Sequence, residues 1–231
     1  MDSIAAAPPQ DHWRRRLLIP FYKVSEAAKY AKSNKDTVAR WNRLGVLAGR
    51  KPRAELSYMQ LIETAVVAAM RRADIPLSEI KAGHDYFARM LEVEFPFASY
   101  SFKADAKRIV LDYKEIEPDT KLGKLLYSDG QLGWKDLVEP LLKEFEYHED
   151  GLAIKWHVAG LKSKVIIDPQ VSFGAPNVSG AATWILRDRY VGGESVVDIA
   201  DDFDLSESEV LDALYFEGLE PDMERTSIWT N

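Results

Sequence analysis

The 231-residue sequence predicts an α+β protein, mainly α, in which a basic helix-turn-helix leads through a β-rich middle to an acidic three-helix module. Three observations carry this. Helical periodicity with capping signals dominates both ends of the chain. Short aromatic and β-branched runs fall between them. The charge is divided as well. Residues 1–90 hold 16 Lys/Arg against 9 Asp/Glu, although the whole chain carries −7. The basic excess is sharpest from Arg14 to Arg53, with twelve basic residues against Glu26 and Asp36, whereas twelve acidic residues and one Arg follow Val191. Opposite signs in the two halves point to two different partners.

In chain order, residues 1–19 are Pro/Ala-rich, then basic, and are expected to form a flexible tail. Val24, Ala27, Ala28 and Ala31 make the inner face of a short helix capped by Ser25. Ser33 and Asp36 have capping-box spacing and start a second helix, whose buried side is Val38, Trp41 and Leu44. Gly45 stops it. GVLAGRKPRAELSY then reads as a hairpin with Arg50, Lys51 and Arg53 at its tip. Helices over Met59–Arg72 and Ser78–Leu91 follow, separated by Asp74-Ile75-Pro76. These elements form a domain over residues 20–92.

Residues 93–179 form the β-rich middle and a linker. FASYSFK, KRIVLDYK, AIKWHVAG and SKVIIDP read as strands. A helix is expected around Asp136–Phe145, with Pro140 marking its first turn or a kink. PQVSFGAPNVSGAAT reads as a loop. Residues 180–219 make the acidic module, with helices at Ala182–Tyr190, Ser195–Phe203 and Glu207–Leu219, and residues 220–231 are a tail. Ser195 and Ser206 are the expected N-caps, Ser206 pairing with Glu209 in a capping box. Val196, Ile199, Ala200, Phe203 and Leu205 are expected to face Val210, Ala213, Leu214 and Phe216.

Composition excludes several classes. There is no Cys, so disulfides and thiolate metal sites are ruled out. His12, His84, His148 and His157 lack ligand spacing. No apolar run approaches the ~20 residues of a membrane span, and the first residues do not form a secretory signal. The expected location is the cytoplasm. No P-loop, G-x-S-x-G or H-E-x-x-H is present, and Asp201-Asp202, adjacent on a helix surface, diverge and make no catalytic dyad. Neither catalysis, a cofactor nor a bound metal is expected.

A recognition helix turns polar and basic side chains outward while its other face packs on a partner helix. Asn34, Lys35, Thr37, Arg40 and Arg43 occupy such positions around Val38 and Trp41. With Lys23 and the hairpin residues Arg50, Lys51 and Arg53, they are the candidate DNA contacts. The segment YKVSEAAKYAKSNKDTVARW, the basic hairpin and LSYMQLIETAVVAAMRRADIPLSEI together resemble the MerR-type winged helix-turn-helix over residues 21–92. Tyr58 to Ile62 matches the family's aromatic-rich stretch. Asp74 to Ile80 matches its G-x-P-L-x-x-I turn, with Asp74 in place of Gly. The resemblance implies a winged DNA-binding fold. The family's long dimerisation coiled coil and effector domain are absent, so metal or drug sensing is not implied.

Ser195 to Glu217 has the spacing of a second helix-turn-helix, yet it carries eight acidic residues and no Lys or Arg. A phosphate backbone would repel it. The acids serve either as the solubilising face of a dimerisation unit or as the match for a basic partner. Asp168-Pro169, Gly174-Ala175-Pro176, Gly193-Glu194-Ser195 with Ile199-Ala200, and Leu205-Ser206 with Val210 and Ala213-Leu214 resemble a small domain of unknown function attached to many antitoxins. Many members carry Gly-Thr-Arg before the first helix, where this chain has Ser179-Gly180-Ala181-Ala182-Thr183, so the role of that Arg is not carried over. With the MerR-like N-terminus, the arrangement is similar to the larger VapB-type antitoxins. That resemblance implies a protein that neutralises a PIN-type endoribonuclease toxin and represses its own operon on operator DNA, expected as a homodimer. The candidate toxin contacts are Arg187, Arg189, Asp201, Asp202, Glu209, Asp212 and Arg225. The alternatives are a MerR-like transcriptional regulator sensing a ligand through its middle region and a pure dimerisation scaffold.

Overall fold

The structure, a computed structural model, describes residues 12–47, 55–104 and 138–222. It is α+β, mainly helical, with one antiparallel five-stranded sheet. The chain divides into two compact units, residues 1–143 with 147–153 and residues 144–146 with 154–231. Among the described residues, no helix is long and apolar enough to cross a membrane.

The first unit contains helices α1 (His12–Leu18), α2 (Val24–Tyr30), α3 (Lys35–Arg43), α4 (Tyr58–Arg72), α5 (Leu77–Leu91) and α6 (Glu139–Lys143), with a 3₁₀ turn at Pro96–Ala98. Every residue from Tyr58 to Met70 is buried, so α4 is the core of this unit. The helices α1, α2, α5 and α6 and the 3₁₀ turn all pack on it. Residues 12–18, expected in a flexible tail, are therefore structured, with Leu17 buried.

The helix starts differ from the expected ones for local reasons. Tyr22 pairs with Leu56 through backbone hydrogen bonds of 2.9 and 2.8 Å, which keeps the chain extended up to Lys23. Lys23, not Ser25, is thus the N-cap of α2, and the Glu26 carboxylate accepts from its N–H at 2.8 Å. The Ser33 N–H closes the end of α2 by donating to the Ala28 carbonyl at 2.8 Å. The cap of α3 accordingly falls on Asn34, whose Oδ1 accepts from the Asp36 N–H at 2.8 Å. Val38 and Trp41 are buried as expected, but Leu44, at the C-cap, is 50% exposed. Val46 and Leu47 bury instead, once Gly45 at φ +66° has turned the chain.

Ser57 and Gln60 cap α4 reciprocally. Between α4 and α5, Asp74 sits at φ +58°, the left-handed conformation that Gly adopts most cheaply. The stretch FASYSFK is not a strand. Phe97 and Ala98 lie in the 3₁₀ turn, and residues 100–104 are helical. Ser99 Oγ accepts from the Phe102 N–H at 3.1 Å and starts that helix. Phe97 and Phe102 are fully buried and cluster with Phe87, at ring-centroid distances of 5.0 to 6.0 Å. KRIVLDYK lies outside the described residues. Of the helix expected around Asp136–Phe145, α6 is the described part, with Pro140 in its first turn. Phe145 already belongs to a strand.

The sheet runs in the order β1 (Phe145–Tyr147), β2 (Ala153–Trp156), β3 (Ile166–Ile167), β4 (Pro176–Val178) and β5 (Ala181–Ala182). Trp156 pairs with Ile167, Ile166 with Asn177, and Asn177 with Ala182. The expected strands AIKWHVAG and SKVIIDP become β2 and β3. The segment expected as a loop supplies β4 and β5, and the buried Asn177 organises it. The Asn177 amide donates to the carbonyls of Ile166 (3.2 Å) and Ala175 (3.1 Å) and accepts from the Gly180 N–H (3.2 Å).

Helices α7 (Thr183–Val191), α8 (Val196–Phe203) and α9 (Glu207–Phe216) complete the second unit. All three pack on one another, and α7 and α9 also pack on β4. Ser195 and Ser206 cap α8 and α9, and the Ser206–Glu209 capping box forms. Ile199, Val210, Ala213 and Leu214 are fully buried. Phe203, Leu205 and Phe216 are only partly so.

Candidate functional site

On α3, Val38 and Trp41 occupy the inward stripe three residues apart, Ala39 and Asn42 flank it half-buried, and the opposite face is left to solvent. Asn34, Lys35, Thr37, Arg40 and Arg43 are all exposed, as is Lys23. Among the described residues, Lys35, Arg40 and Arg43 form no ion pair, so their charge is uncompensated. Asn34 differs from its neighbours, because its Oδ1 already accepts the capping bond while its amide N–H₂ stays available to donate. Arg50, Lys51 and Arg53 lie outside the described residues. An exposed helix face with three unpaired cations is chemically suited to a polyanion.

In the second unit, five of the eight carboxylates between Ser195 and Glu217 are engaged within the fold. Asp198 accepts from Ser195 Oγ at 2.5 Å, and Asp212 from the Lys164 N–H at 2.7 Å. Glu217 accepts from Thr183 Oγ1 at 2.6 Å. Glu209 accepts from Ser179 Oγ at 2.5 Å and from the Ser206 N–H at 2.9 Å, and these bonds hold its carboxyl below the usual range. Asp202 accepts from Arg189 at 2.5 Å. Asp201, Asp204 and Glu207 are exposed, and their carboxylates take part in no described interaction.

Arg189 also binds Glu194 and lies over the Phe203 ring, 5.4 Å from its centroid. Its two carboxylates, Glu194 first, hold it firmly charged. It therefore clamps α7 to α8. Arg187 is on the outer side of α7 and pairs with Asp188 at 2.7 Å. Arg225 lies outside the described residues.

Two features are not visible in the sequence reading. In the first unit, Glu63 is completely buried on α4, and its Oε2 meets His84 Nε2 of α5 at 2.6 Å. Its other oxygen accepts from the Phe97 N–H at 2.9 Å. Burial acts to lower the His84 pKa, but the Glu63 hydrogen bond and charge outweigh it, so the imidazole titrates above its ordinary value. Asp85, 3.7 Å from His84 Nδ1, acts in the same direction. The sequence signal is Glu63 itself, a lone acid in the apolar run from Tyr58 to Met70. In the second unit, Phe173 stands 85% exposed in a left-handed turn within the Gly/Pro-rich segment that leads into β4.

No family model matches the chain. The chain is similar to Putative antitoxin VapB45 of Mycobacterium tuberculosis, with 23% identity over 227 residues, spanning 86% of this chain and 94% of that protein. The crystal structure of Rv2018 from Mycobacterium tuberculosis shares the fold, with a TM-score of 0.74 at 21% identity over 85% of this chain and 97% of that one. The likeness therefore runs through nearly the whole architecture.

Proposed function

We propose that the chain is the antitoxin of a type II toxin–antitoxin system, binding and neutralising a PIN-type endoribonuclease and repressing its own operon on operator DNA. The likeness to a protein named as an antitoxin, along almost the full length of both chains, carries this reading. Its chemistry is supported by the separation of charge. In the first unit α2 and α3 act as a winged helix-turn-helix of MerR type, and α3 enters the major groove. Lys35, Thr37, Arg40 and Arg43 reach bases and phosphates, with Lys23 and the hairpin residues Arg50, Lys51 and Arg53 along the neighbouring backbone. Asn34 contributes chiefly through its amide N–H₂.

Two copies read two half-sites about one helical turn apart. The second unit meets the toxin, whose RNA-binding surface must be basic to hold its substrate. Asp201, Asp204 and Glu207 are free for that contact. Asp202, Glu209 and Asp212 face it while holding their internal bonds, and Arg187 and Arg225 are further contacts, whereas Arg189 is held in its clamp. The protein acts in the cytoplasm, where both partners are made.

The test is a gel shift on the DNA upstream of the chain's own gene, with and without the ribonuclease encoded beside it. The proposal requires a salt-sensitive shift by the chain and a ternary complex on adding the nuclease. A chain that binds neither would overturn it.

A further inference from the structure

Phe173 occupies a place where the fold gains nothing from an aromatic. It lies at φ +53° and ψ +30°, between Ser172 at φ +46° and Gly174 at φ +77°. A bulky residue at positive φ is a genuine outlier, and Gly or Asn would adopt the conformation more cheaply. The side chain recovers none of this strain by burial, being 85% exposed.

The turn is nevertheless held rigidly. Ser172 Oγ donates to the Gly180 carbonyl at 2.5 Å, tying it to a second left-handed turn at Ser179 (φ +47°) and Gly180 (φ +93°). The buried Asn177 braces the segment between them. Strain held in place by a preorganised surround marks a functional position. An exposed aromatic whose backbone is already fixed loses little entropy on binding, which suits it to be an interface anchor.

The surroundings indicate what Phe173 meets. Ser179, in the tied turn, holds Glu209 at the start of α9, next to the exposed Glu207. The second unit as a whole has six basic residues against sixteen acidic ones. We propose that Phe173 is the anchor of the second unit's protein contact, inserting into an apolar pocket rimmed by Lys and Arg on the surface of the nuclease partner. This rests on the antitoxin reading and specifies the site through which it works. The rim matches the carboxylates and the pocket takes the ring, so the contact combines a central apolar anchor with a charged periphery.

The experiment is calorimetric titration of the full-length chain with the ribonuclease encoded beside its gene, using wild type, Phe173→Asn and Phe173→Trp, with a thermal melt of each. Asn tolerates the left-handed turn. Phe173→Asn should therefore melt no lower than wild type and still bind at least about 30-fold more weakly, the size of loss that defines a hot spot. Phe173→Trp, which keeps an aromatic, should bind within about fivefold of wild type.

If wild type binds and Phe173→Asn binds within about threefold of it, the anchor assignment is wrong while the antitoxin reading stands. If wild type does not bind the nuclease, the antitoxin reading fails and takes this inference with it. Sedimentation of the same variants distinguishes a second copy as the occupant. A change of oligomeric state with unchanged nuclease affinity would likewise overturn the proposal.

Discussion

Glu63 on α4 offers a sharp perturbation of the first unit. It is completely buried and joins α4 to His84 of α5 at 2.6 Å and to the Phe97 N–H at 2.9 Å. In Glu63→Ala, His84 loses its carboxylate and the Phe97 N–H loses its acceptor, both in an apolar surround that includes the Phe97 ring 5.1 Å from the imidazole. Removing one partner of a buried charged pair costs about 3–5 kcal/mol, a large share of a total stability of about 5–15 kcal/mol. Glu63→Gln keeps the volume and an acceptor but loses the charge, and should cost about 1–3 kcal/mol.

The pair also sets a pH dependence. The folded-state pKa of His84 is raised, so its contribution is complete below the unfolded value of about 6.5. It is lost as pH rises through the folded value. Asp85 faces the imidazole from its own helix, with Lys81 paired to it at 2.7 Å, and these modulate the pH window. Glu63→Gln should flatten this slope. The assay is urea unfolding at pH 6 and pH 9, with hydrogen exchange across residues 58–72 assigning the loss to α4. A cost below about 1 kcal/mol for Glu63→Ala, or equal pH slopes in wild type and Glu63→Gln, would mean that the Glu63–His84 pair does not hold α4 to α5.

Other outcomes follow from the same geometry. Lys35→Glu with Arg40→Glu should lower the salt slope of operator binding by about two units, since each neutralised phosphate contributes about 0.9; an unchanged gel-shift slope would remove α3 from the interface. Asp201→Asn, Asp204→Asn and Glu207→Gln together should weaken nuclease binding at low salt and leave the melting temperature nearly unchanged, because none of the three carboxylates has a side-chain partner in the fold and Asn tolerates the left-handed conformation at position 204 (φ +54°). Arg189→Ala should instead lower stability by about 1 kcal/mol, the clamp being partly screened by solvent, and a melt that does not move would contradict its placement between Glu194 and Asp202. Asp74→Gly should stabilise the first unit by about 0.5–1 kcal/mol, the left-handed penalty relieved less the entropy of Gly; a loss in urea unfolding would argue against that backbone conformation.

The helices were legible where burial has a 3.6-residue period. Val38 and Trp41, Val196 and Ile199, and Val210 and Ala213 announced their faces. Helix starts were read less well, because Ser25 and Ser33 are good caps by residue type, whereas the Tyr22–Leu56 pairing and the Ser33-to-Ala28 bond decided where each helix begins. β4 and β5 were hidden by their length, since strands of two or three residues around Gly and Pro show no alternation. FASYSFK alternated as a strand does, but Ser99 capped it into a helix.

For the candidate site, exposure of the α3 cations followed directly from the pattern. The acids of the second helix pair could be counted but not sorted, because partners such as Thr183, Ser179 and Lys164 are distant in sequence. The repulsive charge of SVVDIADDFDLSESEVLDALYFE is thus partly internal wiring. Three exposed carboxylates remain for a partner, as does the aromatic turn tied through Ser172 and Ser179 to Gly180 and Glu209.

The central claim is that this surface silences a nuclease. The most direct measurement is the RNA-cleavage rate of the ribonuclease encoded beside the gene, titrated with the full-length chain. Cleavage should fall to background near equimolar chain, and high salt should restore it. Cleavage undiminished by a severalfold excess of the chain at low salt would contradict it.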